Sequence, residues 1–144
     1  MMLAAVYLGS AIAARNTVIQ YALERVPTAL GKPIATLPKI QRLIGEIDMP
    51  LQAAKCLLLD AADTWNNNIA SVATAKHFAV TVANEVTDKA LLIAGGRALT
   101  SSLPLERYFR DVRAGQMQPP SGDTALEIIG RNAIDSISPE TSTT

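Results

Sequence analysis

Few residues in this 144-residue chain are of types that do chemistry, and their spacing narrows them further. One histidine, His77, and one cysteine, Cys56, leave no ligand set for a zinc site. No Ser/Asp partner set accompanies His77, so it reads as a partly buried or surface histidine. Cys56 falls in an apolar stretch and reads as a small core residue rather than a nucleophile. Alone it cannot form an internal disulfide, and a reducing cytoplasm is the simpler setting. Asp60 and Asp63 stand one helical turn apart and read as a solvated face. Arg107, Arg110 and Arg113 recur every three residues with Glu106 and Asp111 among them. Guanidinium groups so placed can grip a phosphate or carboxylate, but the interleaved acids favour ion pairs. The Gly95-Gly96 pair lets backbone approach a phosphate through exposed N–H groups, or simply ends a helix. No strand precedes it, so it is not a dinucleotide fingerprint.

The elements that must position these residues are helical. The formal charge is zero, with 13 basic and 13 acidic residues, which argues against a nucleic-acid partner. Hydrophobic residues make up 49% and aromatics only 4%. An apolar content of Ala, Leu, Ile and Val suits packed helices rather than a β-sandwich. The length fits a single domain. A first helix is expected over Met2 to Arg25, with Val6, Ala13, Ile19 and Leu23 inward. Its start lacks a basic segment before the apolar run, which favours a helix over a secretory signal. That run, about 14 residues, is also short for a bilayer span. Pro27, Gly31, Pro33 and Pro38 then define a connection.

The second helix is the clearest: Ile40, Leu43, Ile44, Ile47, Leu51, Ala54, Leu57, Leu58, Ala61 and Trp65 fall at steps of three and four. Thr36 or Leu37 should cap it, Pro38 fits its first turn, and Pro50 should kink it. Asn66, Asn67 and Asn68 supply a turn. A third helix follows from Ile69 to Ile93 with Val72, Ala79, Val82, Val86 and Ala90 inward, stopping at the glycine pair. Pro104 opens a shorter helix through Arg113, and Gln116 to Gly122 form a loop. Thr124 and Glu127 read as a capping box before Ile128 and Ile129. The expectation is all-α: an antiparallel four-helix bundle with a short extra helix, residues 1–135, and a flexible tail, residues 136–144.

The order of these pieces resembles the acyl-CoA dehydrogenase family. YALERVPTALGKPI, Tyr21 to Ile34, resembles that family's ALERxxFGKPI segment. AGGRALTSSLPLERYFRDVR, Ala94 to Arg113, resembles GGxGYxxExPxERxxRDxR. Between them, LPKIQRLIGEIDMPLQAAKCLLLDAAD resembles the Q-x-x-x-A-D-M helix. The likeness runs from Met2 to about Ala133 and implies the C-terminal helical domain of such a flavoprotein. In the family, a helical domain and a small β-domain precede this bundle. FAD lies against the bundle, and a neighbouring subunit's bundle covers its adenine half.

The resemblance places Arg25 at the FAD pyrophosphate of a neighbouring subunit and Gly95 and Gly96 at the adenosine side. Leu30 stands where an aromatic packs on the cofactor, and Leu92 where a glutamine makes a polar contact. The catalytic loop Y-E-G-T is Gln118-Pro119-Pro120-Ser121 here, so Ser121 keeps a hydroxyl at the threonine position. Pro119 occupies the place of the glutamate base, which removes the proton α to the thioester while flavin takes the β-hydride. Proline cannot do so. Asp123 is a candidate substitute, although it suits the N-terminus of the last helix better.

The implied function is the C-terminal part of an FAD-dependent oxidoreductase acting on CH–CH groups of acyl-CoA thioesters, inactive without its flavin-binding half. That half is expected on a separate chain or a neighbouring gene product, with homo-oligomers and a cytoplasmic location. No metal site and no membrane span are expected. Two alternatives stay open: part of a same-fold flavin monooxygenase, and a non-catalytic helical oligomerisation module whose apolar surface drives self-association.

Overall fold

Alanine, small and without side-chain entropy to lose, lets helices approach closely, and the architecture uses it throughout. The computed structural model describes residues 2–64 and 68–138. Their order is α1 (Met2–Glu24), α2 (Pro38–Asp63), α3 (Ile69–Ala94), α4 (Leu105–Met117) and α5 (Gly122–Asp135). Short 3₁₀ turns, Ile34–Thr36 and Gly95–Leu99, precede α2 and follow α3. No strand occurs among the described residues. The expected antiparallel bundle is therefore observed, with α5 as the extra helix. Trp65, Asn66, Asn67 and the tail from Pro139 onward lie outside the described residues.

The central element is α3, which contacts each of the other four helices. Its Ala79, Val82, Val86 and Ala90 are buried, as the periodicity predicts, and Ala75 and Ala83 join them, whereas Val72 is half-buried. Asn68 caps it by accepting from the Ser71 N–H at 3.0 Å. At the other end the Gly95 N–H reaches the Leu91 carbonyl, with Gly95 at φ +59° and ψ −142°, a conformation that essentially only glycine adopts. Helices α1 and α3 run the same way, since Leu3 and Ala4 share a cavity with Ile69 while Tyr21 and Arg25 share a cleft with Arg97. Helices α2 and α4 return.

On α2 the buried positions are Ile47, Leu51, Ala54, Leu58 and Ala61, with Ile40, Leu43, Ile44 and Leu57 packed at the margin. Leu37 is the N-cap, Pro38 lies in the first turn, and the helix runs through Pro50 without a break. Cys56 is exposed, against expectation. It lies two residues from Ala54, which is about 200° around the helix and hence on the outer face.

The inward face of α1 also differs from expectation. Ala4, Tyr7, Leu8, Ala11, Ala14, Val18 and Ala22 are buried, while Val6 is 60% and Leu23 54% exposed. Because α1 is apolar around most of its circumference, periodicity does not select a face, and the alanine stripe wins through its close fit. At 23 residues α1 is also long and apolar enough to cross a membrane by length and composition alone, beyond the 14-residue run. Here it contributes seven buried residues to the bundle.

Two later boundaries shift. Helix α4 continues to Met117 rather than stopping at Arg113, so the loop shrinks to Gln118–Ser121. Helix α5 begins at Gly122 with Ser121 as N-cap, so Thr124 falls inside the first turn and the capping box does not form. Instead the Ser121 and Thr124 hydroxyls meet at 3.1 Å. Ser121 makes no side-chain hydrogen bond to the helix backbone; its carbonyl starts the helix by accepting from the Ala125 N–H at 2.8 Å.

Candidate functional site

The sequence-predicted residues gather at two ends of the bundle. At one end, α1 finishes at Glu24 and α3 at Ala94. Arg25 leaves α1 exposed, its backbone N–H bonded to the Tyr21 carbonyl and its carbonyl accepting from Ile34 N–H, both at 2.9 Å. This clasp bends the chain toward α2 and turns Arg25 into a cleft of about 330 Å³ with Tyr21, Glu24, Val26 and Arg97. Gly95 and Gly96 belong to the adjoining turn, and a Cβ on either would meet nothing within 4 Å. Open backbone beside guanidinium groups can accommodate an anion. Leu92 is 72% exposed on the last turns of α3.

At the other end the Gln118–Ser121 loop joins α4 to α5. Its geometry is set by Lys76, which sequence reasoning passed over. Lys76 is buried, and its Nζ donates to the carbonyls of Gln118 (2.8 Å), Pro120 (2.7 Å) and Gly115 (3.3 Å). The carbonyls at the C-terminal end of α4 carry partial negative charge, so they suit an ammonium. Burial pushes the Lys76 pKa below its ordinary value of 10.5. The available signal was its place on the buried stripe Ala73, Lys76, Val80, Ala83, Thr87 of α3.

Pro119 and Ser121 are exposed on this loop, and Asp123 is exposed in the first turn of α5. Beneath the loop lies a largely apolar cavity of about 300 Å³ bounded by Ala4, Ile69, Val72, Pro119 and Ile128, with Lys76 in its wall. His77 is half-buried beside Gly122 and shares a smaller recess with Gln116 and Thr81. Arg25 and the glycines are thus separated from Ser121 by most of α3, roughly 30 Å at helical rise.

The arginine series serves the fold. Arg113 pairs with Asp88 and donates to Asn84 Oδ1 at 2.6 Å, tying α4 to α3, with its guanidinium 4.2 Å from the Phe109 ring centre. Arg110 pairs with Glu106 one turn earlier at 2.8 Å. Arg107 lies over the Tyr108 ring at 5.5 Å. Of the ion pairs expected with the interleaved acids, Arg110–Glu106 is present, whereas Arg113 pairs instead with Asp88 on α3. Asp60 and Asp63 are exposed, as a solvated face requires. No group of three or more His, Cys, Asp or Glu side chains that could hold a metal occurs among the described residues.

Residues 1–118 match the family model described as acyl-CoA dehydrogenase, C-terminal domain. The Bacillus subtilis protein YdbM, which carries an acyl-CoA dehydrogenase name, is 36% identical over 138 residues, covering 92% of this chain and 36% of that protein. The 3-sulfinopropanoyl-CoA desulfinase of Cupriavidus necator is 38% identical over 110 residues, 75% of this chain and 27% of its own length. Among solved structures, butyryl-CoA dehydrogenase from Megasphaera elsdenii superimposes with a TM-score of 0.85 at 29% identity, over 91% of this chain and 34% of that one. The chain thus spans about a third of the length of the relatives it matches.

Proposed function

Because this chain belongs to the acyl-CoA dehydrogenase family, as its C-terminal helical domain, we propose that it is the bundle half of an FAD-dependent oxidoreductase acting on CH–CH groups of acyl thioesters. The observation that supports this best is the separation of its two candidate ends. Arg25 with Gly95 and Gly96 sits at one, and Ser121 with the Pro119 loop at the other. A bundle that touches one subunit's flavin through its loop and covers a neighbour's through the opposite end needs this arrangement. The residues fit such a cofactor at the first end: a guanidinium faces a cleft, and both glycines border open space. At the second end Ser121 offers an exposed hydroxyl.

When bound, FAD would supply the hydride acceptor. What this chain adds is orientation and cover, with Lys76 holding the loop in place. It does not add the usual base, since Pro119 has no group that takes a proton. Asp123 is the nearest carboxylate in sequence, in the first turn of α5. The rest of the flavin site is supplied by further residues of a longer polypeptide or by a second chain. A homo-oligomer in the cytoplasm fits the reading, with residues 1–135 as the bundle unit and 136–144 as a tail.

The test is to purify the chain alone and together with a flavin-binding partner, such as the product of an adjacent reading frame, and record flavin absorbance. Association and retained FAD are expected for the pair, and a pair that does neither sinks the two-part reading. A second reading follows from Pro119: acyl-CoA or flavin chemistry that needs no thioester α-base. It is favoured by the desulfinase relative, whose name is not that of a dehydrogenase, and same-fold monooxygenase chemistry belongs with it. Acyl-CoA-dependent dye reduction against oxygen consumption by the reconstituted enzyme separates the readings. Loss of dye reduction in Asp123→Asn would assign the base.

A further inference from the structure

We propose that Lys76 is the positioning residue of the Gln118–Ser121 loop: from α3 it supplies the hydrogen-bond donors that Pro119 and Pro120 cannot give to the end of α4, and so holds position 119 outward. This rests on the reading of the loop as the part of the bundle that meets a flavin. It adds why this chain, with two prolines there, needs an outside donor at all.

The need begins at the Gly115 carbonyl, near the last turn of α4. In a continuing helix its partner is the N–H of residue 119. In the common C-terminal caps it is the N–H of residue 119 or 120. Both positions are proline here, and proline has no N–H. The Lys76 ammonium takes their place, donating to Gly115 at 3.3 Å and more closely to Gln118 at 2.8 Å and Pro120 at 2.7 Å. An ammonium carries three hydrogens, so these carbonyls use its whole donor capacity. Among the described residues no carboxylate pairs with Lys76, and the partial negative charge at the helix end serves as its counter-charge. Lys76 is 6% exposed, so water does not replace a lost partner on either side. The carbonyls of Gln118 and Pro120 are both turned inward to it, while the Pro119 side chain between them is exposed.

The test starts with the wild-type chain and needs no variant to fold. In proton–nitrogen NMR near neutral pH, the Lys76 Nζ hydrogens should exchange with water slowly enough to be observed, unlike those of exposed Lys32 and Lys39. Exchange as fast as at Lys32 overturns the proposal. Lys76→Met keeps the apolar stem and removes the donors. It should lower the melting temperature and speed hydrogen exchange at the Ala125 amide, which closes the first turn of α5, by about tenfold or more. A variant matching the wild type in both would show that Lys76 only fills space. Pro119→Gly combined with Pro120→Ala returns both N–H groups. In that background Lys76→Met should lower the melting temperature by about half as much or less, since the two sources of donors are coupled. An equal loss in both backgrounds overturns the link to the prolines. None of these measurements involves flavin, so retention of FAD by the paired protein judges the cofactor reading separately.

Discussion

At the scale of single residues, polar groups inside the bundle act as ties between helices. Arg15 on α1 reaches Asp48 on α2 through Nη2 at 2.6 Å and Nε at 2.8 Å, and Gln52 donates to the same carboxylate at 2.6 Å. The Gln52 hydrogen bond, and after it Arg15, hold the Asp48 pKa below its usual 3.8, although partial burial opposes them. A carboxylate with a depressed folded pKa stabilises the fold above its unfolded pKa and loses that contribution as pH falls through the folded value. Asp48→Asn should therefore cost about 1 kcal/mol near neutral pH, the pair being partly exposed. In urea titrations the gap to wild type should close as pH drops below 3.8. An unchanging gap would assign the effect to packing. The Arg15–Asp48 tie was not legible in the sequence, because residues 33 positions apart meet only once α1 and α2 are paired. Arg110 with Glu106 was legible, because a helix brings positions i and i+4 together unaided.

At the scale of elements, legibility followed amphipathicity. The stripe on α2 separates apolar from charged positions and so marks its inward face; α1 offers apolar residues on nearly every side, and its sequence singles out none. The extension of α4 past Arg113 has a packing cause. Gly115 is buried where α1 and α3 meet α4, and a Cβ there would stand 2.9 Å from Tyr7 Cδ2 and 3.1 Å from Val80 Cγ1. The glycine that weakens the helix locally is what lets three helices close. Gly115→Ala, favourable by helix propensity alone, should instead destabilise the protein by about 1–3 kcal/mol through overpacking. Thermal melts decide it. A second change, Tyr7→Phe, leaves the ring and the clash in place and so should not rescue it, whereas Tyr7→Leu should recover part of the loss.

At the scale of the whole molecule, apolar surface remains outside the bundle. Val6, Leu23 and Met2 on α1, Leu59 on α2 and Leu92 and Leu99 near the end of α3 are all more than half exposed. Surface of this kind favours association with a second copy or with adjoining domains. The chain alone should therefore form oligomers in light scattering, and Val6→Glu with Leu23→Glu should shift it toward monomer without lowering its melting temperature. A wild-type monomer at all concentrations would remove this expectation. The two ends of the bundle, by contrast, are organised by backbone. The shape of the Gln118–Ser121 loop depends on carbonyl oxygens gripped by the Lys76 ammonium, and every residue type brings a carbonyl. The side chain at position 119 takes no part in that grip, so a substitution there leaves the frame in place. The loop is a socket whose fitting is independent of its mounting.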